Sequence, residues 1–302
     1  MSEKAIQIAG AATPMTDPSP AMAGDKEEQL LRTLGRIDSL LVAFSGGADS
    51  AYLAWAAAKA LGERALAVTA ISPSYSEHDR RVAEQFIRNH AIRHEWIETR
   101  EAENPLYIAN NPDRCYHCKD ELFGRMEELT RERGFAAIAY GINADDTRDF
   151  RPGHRAASEH RILAPLLDAA LTKAEIRWLS RRAGLETWDR PASACLSSRV
   201  PYGTAVTPDL LRQIERAEQS LRELGFQQFR VRAHGELARV EVDTNDLSRA
   251  LGAQMAERIA ACVRAAGFAH VEIDPKGYRQ GSLNEVLGVP SSRQHDGAAR
   301  QG

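Results

Sequence analysis

The sequence predicts an α/β protein: a parallel sheet covered by helices on both faces, followed by a smaller α+β unit. Three observations predict it. Short apolar runs alternate with helical patterns from residue 25 to about 185. A glycine-rich turn follows the first run. After a break rich in Pro, Ser and Gly at 186–204, the order becomes helix, strand, strand, helix, strand.

The elements follow in order. SLLVAF (39–44) is an apolar run of strand length, and a helix runs from about Ser50 to Leu61. ALAVTAIS (65–72) is the second strand. Ser76, with Asp79 three residues on, reads as an N-cap opening a helix to about Asn89. HEWIE (94–98) is the third strand. A helix from about Lys119 ends near Gly134, and FAAIAYGI (135–142) is the fourth strand. Thr172 and Glu175 have the spacing of a capping box, for a helix that ends near Gly184. Thr207 followed by Pro208 is an N-cap with proline at the first helical position, opening a helix over 208–224. Strands at 228–233 and 237–243, a helix at 246–266 and a strand at 269–274 complete the second unit. The expected organisation is a disordered tail over 1–24, a first domain over 25–190, a loop or linker over 191–206, a second domain over 207–288 and a disordered tail over 289–302. Neither tail carries a clear apolar period.

With 43% hydrophobic and 27% charged residues, the composition is that of a soluble globular protein. A net charge of -3 argues against a nucleic-acid binder that works through a broad basic surface. No run approaches the ~18–20 apolar residues needed to cross a bilayer. The N-terminus lacks the basic region and longer apolar stretch of a signal peptide, so a cytoplasmic location is expected. Four cysteines, Cys115, Cys118, Cys195 and Cys262, are too few for a disulfide framework in 302 residues. In a reducing compartment a close pair more often binds metal or does chemistry.

The sharpest motif is Ser45-Gly46-Gly47-Ala48-Asp49-Ser50, between a strand end and a helix start. Two glycines let the backbone approach a phosphate closely, and the helix N-terminus offers free N–H groups. Ser45 and Ser50 add hydroxyls. No Gly-Lys-Ser/Thr follows, so this is not a Walker A loop. It matches the SGGxDS signature of the PP-loop ATP pyrophosphatases, which split ATP into AMP and pyrophosphate. The bland alternative is a generic glycine-rich βα turn. In an open α/β sheet, ligands bind beyond the carboxyl ends of the strands. Ser72 lies at one such end, and Gly141-Ile142-Asn143-Ala144-Asp145-Asp146 at another. That turn could pack against adenosine or hold hydrated Mg²⁺ through Asp145 or Asp146. Its ordinary reading is a polar loop with an Asx turn.

Cys115-Tyr116-His117-Cys118-Lys119 and Cys195 make the second constellation. A CxxC alone is a redox pair, half a zinc site or two structural thiols. Three cysteines suit an iron–sulfur cluster that leaves one iron open. Cys195 stands in a polar loop beside Arg199, where a cation favours the thiolate. Cys262 lies in an apolar helix pattern and reads as core. Arg230 and Arg232 alternate on a strand and so share a face. With Arg199 and Lys119 they could clamp a phosphate or carboxylate. Glu218, on the preceding helix, could orient them or bind a metal. Solvated surface charges are the bland reading of this basic group.

SGGADS, NPDRCYHCKDELF, GINADD, WDRPASACLSSRVPYGT, FRVRAHGELARVEV and GYRQGSLNE together resemble the LarE-type PP-loop sulfur transferases, which build the nickel-pincer nucleotide of lactate racemase. The resemblance runs from about residue 28 to 288. It implies an adenine nucleotide alpha hydrolase-like first domain. It also implies adenylylation of the carboxylates of pyridinium-3,5-biscarboxylic acid mononucleotide by ATP and Mg²⁺, then conversion to thiocarboxylates. One variant of that family gives up the sulfur of a single cysteine at the position of Cys195, leaving dehydroalanine. Another uses two further cysteines to hold a [4Fe–4S] cluster whose open iron carries sulfide. Cys115 and Cys118 make this chain resemble the cluster variant, with Cys115, Cys118 and Cys195 as ligands. Lys119, Arg199, Glu218, Arg230 and Arg232 match residues lining the family's substrate site. The expected partner is that small molecule, with no nucleic acid and no membrane, in a homo-oligomer. Competing readings are a PP-loop tRNA thiolase and a non-catalytic nucleotide-binding module.

Overall fold

The computed structural model describes residues 19–148, 152–191 and 194–279. Strands β1 (Leu40–Ala43), β2 (Ala65–Ile71), β3 (His94–Glu98) and β4 (Ala137–Tyr140) form one sheet in the order β3-β2-β1-β4, all parallel. Helices α1 (Pro20–Gly35), α2 (Ala48–Leu61), α3 (Glu77–Asn89), α4 (Pro105–Ile108), α5 (Arg114–Arg133), α6 (Pro152–Glu159), α7 (Pro165–Asp168) and α8 (Lys173–Arg182) accompany it. Successive strand residues face opposite ways. Leu40 and Val42 therefore join Leu34, Leu53, Phe86 and Leu179 in one core. Leu41, Leu66 and Val68 join Phe123, Met126 and Ala156 in another. Apolar residues on both faces explain why these strands read as unbroken apolar runs.

The second unit contains α9 (Pro208–Glu223), β5 (Phe229–His234), β6 (Leu237–Val242), α10 (Leu247–Leu251), α11 (Ala253–Ala265) and β7 (His270–Ile273). The β5-β6 pair is antiparallel and β6-β7 parallel. Val231, Ala233, Val240 and Val242 pack on α9 and α11 through Leu211, Ile214, Ile259 and Val263. Arg230, Arg232 and Glu241 occupy alternate strand positions and so take the other face. The expected fold class is the observed one: an α/β parallel-sheet unit with helices on both sides and a small C-terminal unit with its own sheet.

Three expectations are corrected. Helix α1 begins at Pro20, inside the stretch read as tail. Its buried stripe, Ala23, Glu27, Leu30 and Leu34, includes a glutamate, which hid the period. Glu27 is held there by the Tyr52 hydroxyl at 3.0 Å and by Arg182. Helix α5 begins at Arg114 rather than near Lys119, which puts Cys115 and Cys118 in its first turn. The 246–266 helix is broken at Gly252 into α10 and α11. The Ser76 and Thr207 N-caps and the Thr172–Glu175 capping box form as their sequences predict. The remainder of the N-terminal tail (1–18), the 289–302 tail and the part of GYRQGSLNE from Gln280 onward lie outside the described residues. Among the described residues no helix is long and apolar enough to cross a membrane.

Candidate active site

In the order β3-β2-β1-β4, the chain leaves β1 toward β2 on one side and returns as β4 on the other. The crevice of an open α/β sheet lies at that switch, beyond the strand ends. Both polar turns of the first unit stand there. The Ser45–Ser50 loop is tied within itself: Ser50 Oγ donates to the Gly47 carbonyl at 3.1 Å and accepts from the Ser45 amide at 3.1 Å. Gly46 has φ +76°, and a Cβ there would stand 3.3 Å from both Ala83 Cβ and Arg190 Nη1. Arg190 donates to the Gly46 carbonyl at 2.5 Å and pairs with Asp79. Tyr75 donates to the Ser45 carbonyl at 3.2 Å. The loop is thus held from α3 and from the segment after α8, which leaves the start of α2 without a side-chain cap.

The second turn is built against the first. A Cβ on Gly141 would lie 2.9 Å from the Ser50 amide nitrogen, so β4 closes on the first turn of α2 only through a glycine. Asn143 is fully buried and donates from Nδ2 to the Asp49 carboxylate at 3.1 Å, while its Oδ1 accepts from the Asp145 amide at 2.9 Å. Asp145, expected to face nucleotide or Mg²⁺, accepts from the Lys173 amide at 2.8 Å, at the N-terminus of α8. The carboxylate beside Asp49 is that of Asp146, which is buried and pairs with Lys173 Nζ at 2.9 Å. Burial, with the Asp146 charge adding to it, pushes the Asp49 carboxyl up to about 6. Two neighbouring carboxylates offer the oxygen ligands a hard divalent cation takes, and such a cation would compete with Lys173 for Asp146.

Cys195 is exposed, and the short helical turn Leu196–Arg199 follows it. Ser72 closes the turn after β2 through Ser74, at 2.9 Å between hydroxyls, and the Ser74 carbonyl accepts from the Leu196 amide at 2.9 Å. The sulfur loop is therefore joined to a strand end of the first unit. Beyond it, Asn110 is fully buried at φ +55°. Its Nδ2 donates to the carbonyls of Val200, Pro201 and Thr204 at 3.2, 2.8 and 3.0 Å. Arg114 Nη1 donates to Asn110 Oδ1 at 2.5 Å and to the Ser197 carbonyl at 2.8 Å. Tyr107 and Ser197 share a 2.6 Å contact between hydroxyls.

These ties bring the α4–α5 corner, with Cys115 and Cys118, into electrostatic reach of Cys195. Cys118 feels both other sulfurs, and Arg114 feels Cys115 and Cys195. Burial pushes the Cys118 thiol up, and the Glu101 carboxylate adds to it. Among the described residues no group of His, Cys, Asp or Glu side chains is gathered closely enough to hold a metal ion. Three thiols in one neighbourhood nevertheless match iron in kind. Cys262 is half-buried on the second core, as expected, and donates to the Ile259 carbonyl at 3.2 Å.

The three arginines of the basic group are gathered around Glu218, and they are already engaged. Arg199 meets Glu218 through Nε and Nη2 at 2.8 and 2.9 Å. Its Nη1 donates to the carbonyls of Ala194 and Cys195 at 2.5 and 3.0 Å. Arg199 thus anchors the Cys195 loop, and its charge is matched by a carboxylate, unlike the open cation the sequence suggested. Arg232 pairs with Glu241 at 3.0 Å and donates to the Ser198 carbonyl at 2.7 Å. Arg230 stacks on Tyr278 at 5.0 Å, and burial, with Arg199 nearby, lowers its proton affinity. Glu218 does hold this group, accepting also from the Val231 amide at 3.1 Å. Lys119 packs along α6, where a Cβ on Gly153 would meet its Cγ at 3.0 Å. Asn110, Arg114 and Arg190 were missed as site residues, whereas Asp146 was read with Asp145 as a possible Mg²⁺ holder. Arg114 and Arg190 stand inside the quoted stretches NPDRCYHCKDELF and WDRPASACLSSRVPYGT, whereas Asn110 stands in no motif.

No family model matches the chain. An uncharacterized protein of Synechocystis is 39% identical over 266 residues, 88% of this chain and 99% of its own. The pyridinium-3,5-bisthiocarboxylic acid mononucleotide synthase of Lactiplantibacillus plantarum is 31% identical over 274 residues, 88% of this chain and 96% of its own. An uncharacterized protein of Methanocaldococcus jannaschii matches a shorter stretch, 30% identical over 57% of this chain and 66% of its own. The chain belongs to the family of the pyridinium-3,5-bisthiocarboxylic acid mononucleotide synthase.

Proposed function

We propose that this protein is an ATP-dependent sulfur transferase that converts the carboxylates of pyridinium-3,5-biscarboxylic acid mononucleotide to thiocarboxylates for a nickel-pincer cofactor. The observation that carries the reading is the joining of the Cys195 loop to the strand end at Ser74 and to the cysteine-bearing start of α5. It supports a reading in which the Cys195 sulfur serves a ligand bound beyond the strand ends, in a chain whose family includes the synthase of that product.

Amides of the Ser45–Ser50 loop and the start of α2 receive the ATP phosphates, and Asp49 with Asp146 would hold Mg²⁺. A substrate carboxylate oxygen attacks the α-phosphorus. The bond to pyrophosphate breaks, pyrophosphate leaves with the electron pair, and an acyl-adenylate remains. A sulfur lone pair then forms the C–S bond while the C–O bond to AMP breaks and AMP takes the pair. Arg230 and Lys119 offer cations to the substrate phosphate and carboxylates. Arg199, Arg232 and Glu218 set the loop that carries Cys195. A [4Fe–4S] cluster on Cys115, Cys118 and Cys195 would supply sulfide from its open iron. With Cys195 as the donor instead, a base takes the Cα proton, that C–H pair forms the Cα=Cβ bond, and the Cβ–S bond breaks with its pair going to the thiocarboxylate sulfur, so dehydroalanine remains and the chain serves only one transfer.

The test is AMP and pyrophosphate formation from Mg-ATP with the pyridinium dicarboxylate mononucleotide or with tRNA. Formation with the first alone is expected. Formation with tRNA alone would make the protein a tRNA thiolase.

A further inference from the structure

Two side chains from outside the Ser45–Ser50 loop hold successive carbonyls of it. Tyr75 donates to the Ser45 carbonyl at 3.2 Å, and Arg190 Nη1 donates to the Gly46 carbonyl at 2.5 Å. A planar trans peptide points its N–H opposite to its C=O. Holding the Ser45 and Gly46 carbonyls therefore fixes the directions of the Gly46 and Gly47 N–H groups, away from Tyr75 and Arg190. Those two amides are otherwise lightly used. Among the described residues no acceptor meets the Gly46 amide, and the Gly47 amide reaches only Ser45 Oγ, at 3.4 Å, long for a hydrogen bond. Successive free amides in such a turn make an anion-binding concavity.

The two donors are themselves fixed. Arg190 Nη2 pairs with Asp79 Oδ1, each side chain only 13% exposed, and Asp79 Oδ2 accepts from Ser76 Oγ at 2.6 Å at the start of α3. Arg177 on α8 donates to the Arg190 carbonyl at 2.8 Å. The Tyr75 hydroxyl also lies 3.3 Å from the Asp79 carbonyl. An arginine beside a phosphate loop is ordinarily read as a phosphate clamp. Here both ends of the guanidinium fork are taken, one by a carbonyl and one by a carboxylate.

We propose that Arg190 and Tyr75 are positioning residues for the nucleotide phosphates. They aim the Gly46 and Gly47 amides, and Arg190 acts through the loop rather than on the ligand. The proposal rests on the nucleotide part of the sulfur-transferase reading and is independent of the sulfur source and of the acceptor.

The experiment titrates inorganic pyrophosphate into the full-length chain by calorimetry, well below the melting transition. Arg190→Lys puts a single ammonium in place of a fork and should weaken binding about tenfold. Tyr75→Phe loses one hydroxyl and should weaken it about threefold, while melting close to wild type. Asp79→Asn separates the two roles of Arg190. A clamp freed from its carboxylate would bind the anion more tightly, whereas a positioning arginine with a loosened fork leaves it bound about threefold less tightly, the result expected here. Wild-type affinity in Arg190→Lys and Tyr75→Phe, or equal or tighter binding in Asp79→Asn, would overturn the proposal. So would a loss of affinity confined to variants that melt early, which would make the role one of fold stability. A wild-type chain that binds no pyrophosphate would remove the nucleotide part of the proposed function together with this proposal. Wild-type binding that the variants match removes this proposal alone.

Discussion

Asn143 donates from Nδ2 to the Asp49 carboxylate at 3.1 Å, and so ties the turn after β4 to the first turn of α2. The bond holds in place a carboxylate that burial and Asp146 work against. A folded-state pKa raised to about 6 means the folded chain holds a proton that the unfolded chain has released. Stability therefore falls as pH rises from about 4 to 6, and the cost is fully present above 6. Asp49→Asn should stabilise the metal-free protein at pH 7.5 by roughly 2–3 kcal/mol, with the difference vanishing near pH 4. The same variant should lose at least about 100-fold in Mg-dependent AMP formation. Thermal melts at both pH values and an AMP assay check this pairing of gained stability with lost activity.

The two loop glycines should respond differently. A Cβ on Gly47 would meet only Ser45 Oγ, at 3.5 Å, whereas Gly46 is held at positive φ between Ala83 and Arg190. Gly47→Val should melt within a few degrees of wild type and form no AMP with ATP and substrate. Gly46→Val should lower the melting temperature clearly. If Gly47→Val releases pyrophosphate at the wild-type rate, nucleotide does not bind at this loop.

Gly141→Ala should destabilise by about 1–3 kcal/mol, because the added methyl meets backbone at Ser50 and Asp49 rather than a movable side chain. AMP formation should fall even below the melting transition, since the start of α2 must shift. A urea melt matching wild type would mean that the two turns are not packed as described.

Glu218 is 1% exposed and faces Arg199 through both carboxylate oxygens. Glu218→Gln keeps the volume and removes the charge, leaving Arg199 buried without its carboxylate. The expected cost is about 3–5 kcal/mol by urea denaturation. Arg199 also holds the Ala194 and Cys195 carbonyls, so thiocarboxylate formation should fall further than AMP formation. Equal loss of both would show that the pair does not act through the Cys195 loop.

What was legible in the sequence was local. Ser76, Thr172 and Thr207 cap their helices because each finds its partner three residues on. The Ser45–Ser50 loop was legible because a strand, two glycines and a helix start are contiguous. Asn110 and Arg190 were not, since their partners lie at Val200–Thr204 and at Gly46. Arg199 was visible beside Cys195 and Glu218 was read as able to orient the arginines, but that the pair is buried and turns Arg199 into an anchor of the Cys195 loop depends on contacts made only in the fold. Helix α1 was missed because Glu27 interrupts its apolar stripe, and only Tyr52 and Arg182, brought near by the fold, make that position tolerable.

Cys115→Ser separates the two sources of sulfur, and the most direct measurement is made on wild type and this variant together. Each is incubated anaerobically with iron, sulfide, Mg-ATP and the pyridinium dicarboxylate mononucleotide. Mass spectrometry then counts thiocarboxylate per chain and weighs the protein. The account predicts thiocarboxylate with matching AMP and pyrophosphate. It predicts more than one transfer per wild-type chain, bound iron and an unchanged protein mass, with iron and repeated transfer both lost in Cys115→Ser. A wild-type chain that loses the mass of H₂S after a single transfer would replace the cluster by Cys195 as the donor. AMP and pyrophosphate formed with no sulfur in the product would contradict the central claim.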